Sequence, residues 1–188
     1  MKSDRGVAQP GSAPASGAGG RWFKSSRPDH PHRWQIGVVG GGQCPRSVAR
    51  LAQATGEAIA RAGAVLICGG LGGVMEAAAR GARRAGGLTV GILPGSSHGH
   101  ANPFIDIAIV TDMGHARNAV LVRSVHALIA LAGEYGTLSE IALALQMGLP
   151  VVGLEKGPRL PGVVEADTPD GAVALALASA ARVHTRPR

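Results

Sequence analysis

The sequence predicts a doubly wound α/β fold: a parallel sheet with helices on both faces. Three observations predict it. Short β-branched apolar runs alternate with alanine-rich amphipathic stretches. The runs are apolar throughout rather than at every second residue. Glycine clusters recur where a run gives way to a helix. A strand that is apolar throughout must be buried on both sides, and in a parallel sheet the crossover helices cover both.

The elements follow in order. "QIGVV" (35–39) is a strand, "GGGQCP" a loop, and "RSVARLAQATGEAIARAG" a helix stopped at Gly63. "AVLIC" is a second strand, "GGLGG" a second loop, and "VMEAAARGARRAGG" a helix stopped by Gly86 and Gly87. "LTVGIL" is a strand, "PGSSHGHANP" a longer loop, "IDIAIVT" a strand, and "MGHARNAVLVRS" opens a helix. "HALIALAG" and "LPVVGL" are strands flanking the helix "TLSEIALALQMG", which begins at Thr137. "TPDGAVALALASA" closes the body, with Thr168 as N-cap and Pro169 at the first helical position.

A chain of 188 residues suits one domain with a sizeable core. No apolar run is long enough to span a bilayer, and no signal-peptide pattern appears. Cys44 and Cys68 have no zinc-type spacing, and a reduced, cytoplasmic setting is expected. The net charge is +7, but residues 34–181 hold ten basic and ten acidic residues. The excess lies in the ends, so the body offers no basic groove for nucleic acid.

We expect residues 1–33 to be a tail without fold, 34–181 to be the folded domain, and 182–188 to be a basic C-terminal tail. The first segment is rich in Gly, Ser, Pro and Ala, with almost no apolar periodicity. Back-translation gives it a sharper reading. Arg5-Gly6-Val7 can be written CGG GGC GTG, and Arg27-Pro28-Asp29-His30 can be written CGC CCC GAC CAC. These ends are complementary and the second closes on CCA. Trp22-Phe23-Lys24, as TGG TTC AAG, supplies a T-loop-like GTTCAA between them. We expect residues from about 5 to 30 to be a mistranslated upstream tRNA gene.

In doubly wound sheets ligands bind beyond the carboxyl ends of the strands. Three loops qualify: Gly40-Gly41-Gly42, Gly69-Gly70-Leu71-Gly72-Gly73, and "AGEYGTLSE" at residues 132–140. None has the G-x-G-x-x-G or G-x-x-x-x-G-K-[ST] spacing of a dinucleotide site or P-loop. In the third, a strand empties into small residues and a helix begins, leaving backbone N–H groups free for an anion. Glu140 closes that stretch. Thr137-x-x-Glu140 is also a capping box, and Arg117 also reads as a solvated arginine. Glu76, in the first turn of its helix, is explained by the helix dipole. His98 and His100 are a weak metal pair, and no metal or cofactor is expected. The stripe Ile141, Leu143, Leu145 and Met147 reads as core or dimer face.

At "CGGLGGVMEAAARGARRAGGLTVGILPG" and "GHARNAVLVRSVHALIALAGEYGTLSEIALALQMGLPVVGL" the chain resembles the LONELY GUY (LOG) superfamily, once labelled "possible lysine decarboxylase". It is most similar to the bacterial branch related to molybdenum-cofactor carrier proteins. The resemblance covers residues 35–154 and the closing helix. It implies a Rossmann-like sheet, a homodimer, and a site for a phosphorylated small molecule, either a nucleoside monophosphate or a molybdopterin-like compound. LOG enzymes cut the N-glycosidic bond of cytokinin riboside 5′-monophosphates. Their signature P-G-G-x-G-T-x-x-E is met here by Gly133, Gly136, Thr137 and Glu140, and their upstream arginine by Arg117. Ala132 replaces the proline, Glu134 a glycine, and Asn118 the lysine of the plant-type pattern.

The resemblance thus implies Arg117 and Glu140 as catalytic, with ligand contacts from Gly40, Gly41, Gly69, Gly70, Gly72, Gly73, Asn118, Gly133, Gly136 and Thr137. Two functions stay open: phosphoribohydrolase, or a carrier that holds its ligand uncleaved. A pyridoxal-phosphate decarboxylase is excluded, because the body has one lysine, Lys156, in a turn flanked by Gly and Pro.

Overall fold

A computed structural model describes residues 33–154, 157 and 160–184. The readings of residues 1–32, of Lys156 and of 185–188 lie outside the described residues. Seven parallel strands form one sheet: β1 (Gln35–Val39), β2 (Val65–Cys68), β3 (Thr89–Leu93), β4 (Ile107–Val110), β5 (Ala127–Ala130), β6 (Val151–Leu154) and β7 (Val163–Ala166). Their order is β4-β3-β2-β1-β5-β6-β7. Five helices connect and close them: α1 (Arg46–Arg61), α2 (Val74–Arg84), α3 (Arg117–Arg123), α4 (Tyr135–Gln146) and α5 (Pro169–His184). The predicted fold class is the observed one.

Each central strand feeds two cores. Ile36, Val38, Leu66, Cys68, Ala127 and Ile129 pack on one side, against residues of α1, α2 and α5 such as Ala52, Ile59, Ala78 and Ala176. Val39, Val65, Ile67, Leu128 and Ala130 pack on the other, with Leu121, Val122, Ile141 and Ala144 of α3 and α4. The side-chain period of two sends neighbouring residues to opposite faces, so burying both faces demands the unbroken apolar run seen in the sequence.

Helices α1 and α2 approach to backbone contact. A Cβ on Gly56 would meet the Ala78 carbonyl, and one on Gly81 would meet the carbonyl of Gln53. Both helices stop at a glycine in the left-handed region, Gly63 at φ 71° and Gly86 at φ 74°. At α5 the Thr168 hydroxyl accepts from Gly171 N at 3.1 Å, the expected N-cap, with Pro169 first in the helix.

Four readings change. The helix opened by "MGHARNAVLVRS" is split into a 3₁₀ turn at Gly114–Ala116 and the seven-residue α3. The loop after β3 holds a 3₁₀ turn at His98–His100. Strand β7 was not foreseen. Its four residues are mostly exposed on an edge, so its sequence carries no continuous apolar run. Helix α4 begins at Tyr135 rather than Thr137, its N-cap is Glu134, and no side chain caps it. Thr137 is therefore the third helical residue, and the capping-box reading of Thr137 and Glu140 is overturned. No helix among the described residues is long and apolar enough to cross a membrane.

Candidate functional site

The strand order reverses direction at β1, which pairs with β2 on one side and β5 on the other. The chain leaves β1 and β5 towards opposite faces of the sheet, and their exits frame a crevice. It holds a cavity of about 710 Å³. From β1 come Gly40, Gly41, Gly42 and the segment Gln43–Pro45; from β5 come Ala132, Gly133 and Glu134. The start of α4 adds Gly136, Thr137 and Glu140, the start of α3 adds Arg117 and Asn118, and His115 stands just before it.

The two exits are tied together. Gly41 N donates to the Ala132 carbonyl at 3.0 Å, and the Gly41 carbonyl accepts from Val74 N at 3.0 Å. That second bond occupies the first N–H of α2. The start of α4 receives no such bond from the loops. Its first backbone bond runs from Leu138 N to Glu134 O, and no described residue accepts from the N–H groups of Tyr135, Gly136 or Thr137. Three donors thus stand without an acceptor at the positive end of a helix dipole, and two of them, on Gly136 and Thr137, belong to residues that line the cavity.

Thr137 is buried, and its hydroxyl lies against Gly133, where a Cβ would collide with it. Glu140, one turn on, shares that face. Its Oε1 accepts from Arg117 Nη1 at 2.9 Å, and both side chains are 9% exposed. The reading of Arg117 as a solvated surface arginine therefore fails. Arg117 Nε is buried without a hydrogen-bond partner among the described residues. Burial raises the Glu140 carboxyl above its ordinary value, opposed by the charge and hydrogen bond of Arg117. Asn118 is 5% exposed and its amide makes no hydrogen bond to a described residue, which leaves it available to a ligand.

Of the residues expected to meet a ligand, Gly40, Gly41, Asn118, Gly133, Gly136 and Thr137 line this one cavity with Arg117 and Glu140. Gly69, Gly70, Gly72 and Gly73 do not. Gly69 lies under the Arg117 guanidinium, Gly70 packs on Leu93 and Gly91, and Gly72 and Gly73 face the backbone of the first loop. Their lack of side chains lets two loops and an arginine nest, which is a packing role. The sequence reading missed Gln43, Cys44, Leu71, Met75 and His115 as lining residues. The place of His115, two residues before Arg117, was the one available signal.

Glu134 is exposed and lines the cavity without capping α4. The lining thus carries one guanidinium against two carboxylates, Glu134 and Glu140. Both cysteines are free. Burial pushes the Cys68 thiol up to about 11, against the Gly70 N–H and the Arg117 charge, and burial raises Cys44 too. Both are thiols near neutrality, a poor state for a nucleophile. Among the described residues no group of three or more His, Cys, Asp or Glu could hold a metal ion.

Comparison with known proteins places this geometry. The model of the SLOG cluster4 family matches residues 33–182. The chain is 49% identical over 148 residues to an uncharacterized protein of Archaeoglobus fulgidus, covering 79% of this chain and 97% of that one. It is 34% identical over 122 residues to the cytokinin riboside 5′-monophosphate phosphoribohydrolase of Mycobacterium marinum, covering 62% of this chain and 65% of that one. Among solved structures it is similar to the molybdenum cofactor binding protein from Rippkaea orientalis. The TM-score is 0.74 at 38% identity, over 79% of this chain and 98% of that one.

Proposed function

The chain belongs to the SLOG cluster4 family, and on that premise we propose that it binds a phosphorylated small molecule of nucleotide or pterin type in the cavity at the start of α4. One observation carries the reading: the N–H groups of Gly136 and Thr137 have no acceptor among the described residues, and both residues line that cavity. A phosphate there completes the first turn of α4. Asn118 and the Gly40–Gly41 edge are placed to meet the rest of the ligand. The similarity to the molybdenum cofactor binding protein of Rippkaea orientalis and to the cytokinin riboside 5′-monophosphate phosphoribohydrolase of Mycobacterium marinum supports a phosphorylated ligand of either type.

A second reading, N-glycosidic hydrolysis of a nucleoside 5′-monophosphate, is favoured by the Glu140–Arg117 pair on the same wall. With the phosphate at α4, Glu140 would stabilise positive charge developing on the ribose and orient a water towards its anomeric carbon. The C–N bond would break with its electron pair going to the base, and Arg117 would offset the charge gathering there. The product pair is free base and ribose 5-phosphate. The same reading takes the chain to act as a homodimer, which light scattering checks against the chain mass.

The test is a panel of nucleoside monophosphates, scored for binding by thermal shift and for free base by chromatography. Binding without base release supports the carrier. Release that Glu140→Gln abolishes, at unchanged affinity, supports the hydrolase. No thermal shift with any nucleotide, phosphate or molybdopterin-type ligand sinks both.

A further inference from the structure

A cluster of three arginines lies outside this cavity. Helices α1 and α2 border a groove of about 170 Å³ lined by Arg46, Ala49, Arg50 and Gln53 of α1 and by Arg80 of α2. Three arginines of the described residues pair with carboxylates: Arg61 with Asp170 at 2.8 Å, Arg83 with Asp106 at 3.3 Å, and Arg117 with Glu140. Arg46, Arg50 and Arg80 have no such ion pair among the described residues. Two carboxylates stand within a helical turn on the same helices. Glu57 accepts from Gln53 Nε2 at 3.0 Å, and Glu76 precedes Arg80 by four residues without pairing to it.

The arrangement is costly as it stands. Arg46 and Arg50, four residues apart, repel across one helical turn. Both sit in the first turns of α1, against its dipole. That turn contains no acidic residue, and its N-cap, Pro45, makes no capping bond. The guanidinium carbon of Arg80 lies 5.8 Å from the centre of the Phe104 ring, which holds the planar head over the aromatic face. Its Nε is enclosed with no hydrogen-bond partner. Three guanidiniums without a carboxylate partner, two of them like charges at one helix start, border one groove, and a single oxyanion would offset all three.

We propose that this groove binds a phosphate-type oxyanion, held by Arg46, Arg50 and Arg80 at the start of α1, as a site separate from the α4 cavity. Arginine forks suit such oxygens because they bond them in pairs. Two sources offer this chemistry. One is a free anion such as pyrophosphate. The other is the distal phosphate of a larger ligand seated in the cavity, since Gln43–Pro45 line that cavity and run directly into Arg46.

The experiment titrates the full chain at low salt with pyrophosphate, AMP and ADP by calorimetry, for wild type and for Arg46→Gln/Arg50→Gln. Both arginines are exposed, so the double variant should fold. Without ligand it should melt no lower than wild type, because a repulsion has been removed. For a free anion, pyrophosphate affinity falls at least tenfold in the double variant and AMP and ADP are unchanged. For a distal phosphate, ADP falls at least tenfold while AMP does not. Arg80→Met should reproduce whichever loss is seen. Unchanged affinity for all three ligands overturns the site. A failure of AMP to bind wild type would count against the α4 cavity alone, which keeps the two readings distinguishable.

Discussion

Removing the guanidinium from the buried pair, as Arg117→Met, should unmask how much the protein depends on it. Glu140 and Arg117 are each 9% exposed, and their contact is 2.9 Å. Breaking a pair of this kind by deleting one partner costs about 3–5 kcal/mol, because the survivor stays buried and uncompensated. At roughly 2–4 °C per kcal/mol for a domain of this size, the midpoint should fall by roughly 10 °C. Replacing both groups, as Arg117→Met with Glu140→Leu, should recover most of that loss, since an apolar pair of similar volume carries no buried charge.

The loss should also depend on pH, with a definite sign. Burial already raises the Glu140 carboxyl above its ordinary 4.5, and Arg117 is the charge that pulls it down. Without Arg117 the folded-state value rises further. A carboxyl raised on folding contributes stability that is fully present below the unfolded value and is lost as pH rises through the folded one. Urea unfolding of Arg117→Met should therefore show a larger deficit at pH 7 than at pH 5. A cost under about 1 kcal/mol, or one equal at both pH values, would falsify the desolvated pair.

Three further outcomes are expected. Gly81→Ala should cost about 1–3 kcal/mol or more in urea unfolding, because its Cβ meets the backbone carbonyl of Gln53, which cannot step aside. Glu134→Gly should tighten phosphate binding severalfold by calorimetry, since it removes one of the two carboxylates lining the cavity beside the free donors of α4; looser binding would show that Glu134 helps hold the ligand. A disulfide-exchange reagent at neutral pH should modify Cys44 and spare Cys68, whose thiol is enclosed and pushed up to about 11, until the chain is unfolded.

The strands most legible in the sequence are those buried on both sides, and the edge strand β4 was legible because its four residues are apolar throughout. Strands β1, β2, β3, β5 and β6 are unbroken apolar runs because α1, α2 and α5 cover one face and α3 and α4 the other. Strand β7 escaped notice because an edge strand with exposed Val164 and Glu165 makes no such demand on its residues. The site was legible where the family motif ran, at Gly133, Gly136, Thr137 and Glu140, and at Arg117. The second glycine loop does not line the cavity, and the sequence could not tell this, because close backbone packing and close approach of a phosphate ask for the same residue. Only three-dimensional neighbours separate them: Gly73 meets the Gly41 and Gly42 carbonyls, whereas Gly136 has nothing within 4 Å. Cys44, Met75 and His115 carry no local pattern, since they reach the cavity through folding alone.

The spacing Thr137-x-x-Glu140 shows how one pattern can serve two physical ends. In a capping box the threonine stands outside the helix and the pair closes its open donors. Starting α4 two residues earlier moves the same pair inside, where a separation of three places both on one face. That face turns to Gly133 and Arg117, so neither side chain is spent on the N-terminus. The donors of Tyr135, Gly136 and Thr137 stay open because the residue now at the N-cap, Glu134, makes no capping bond. A helix start left unsatisfied costs stability unless something outside the helix completes it. The free donors and the buried pair are therefore separable: the first can hold a phosphate whether or not the second acts on what the phosphate carries.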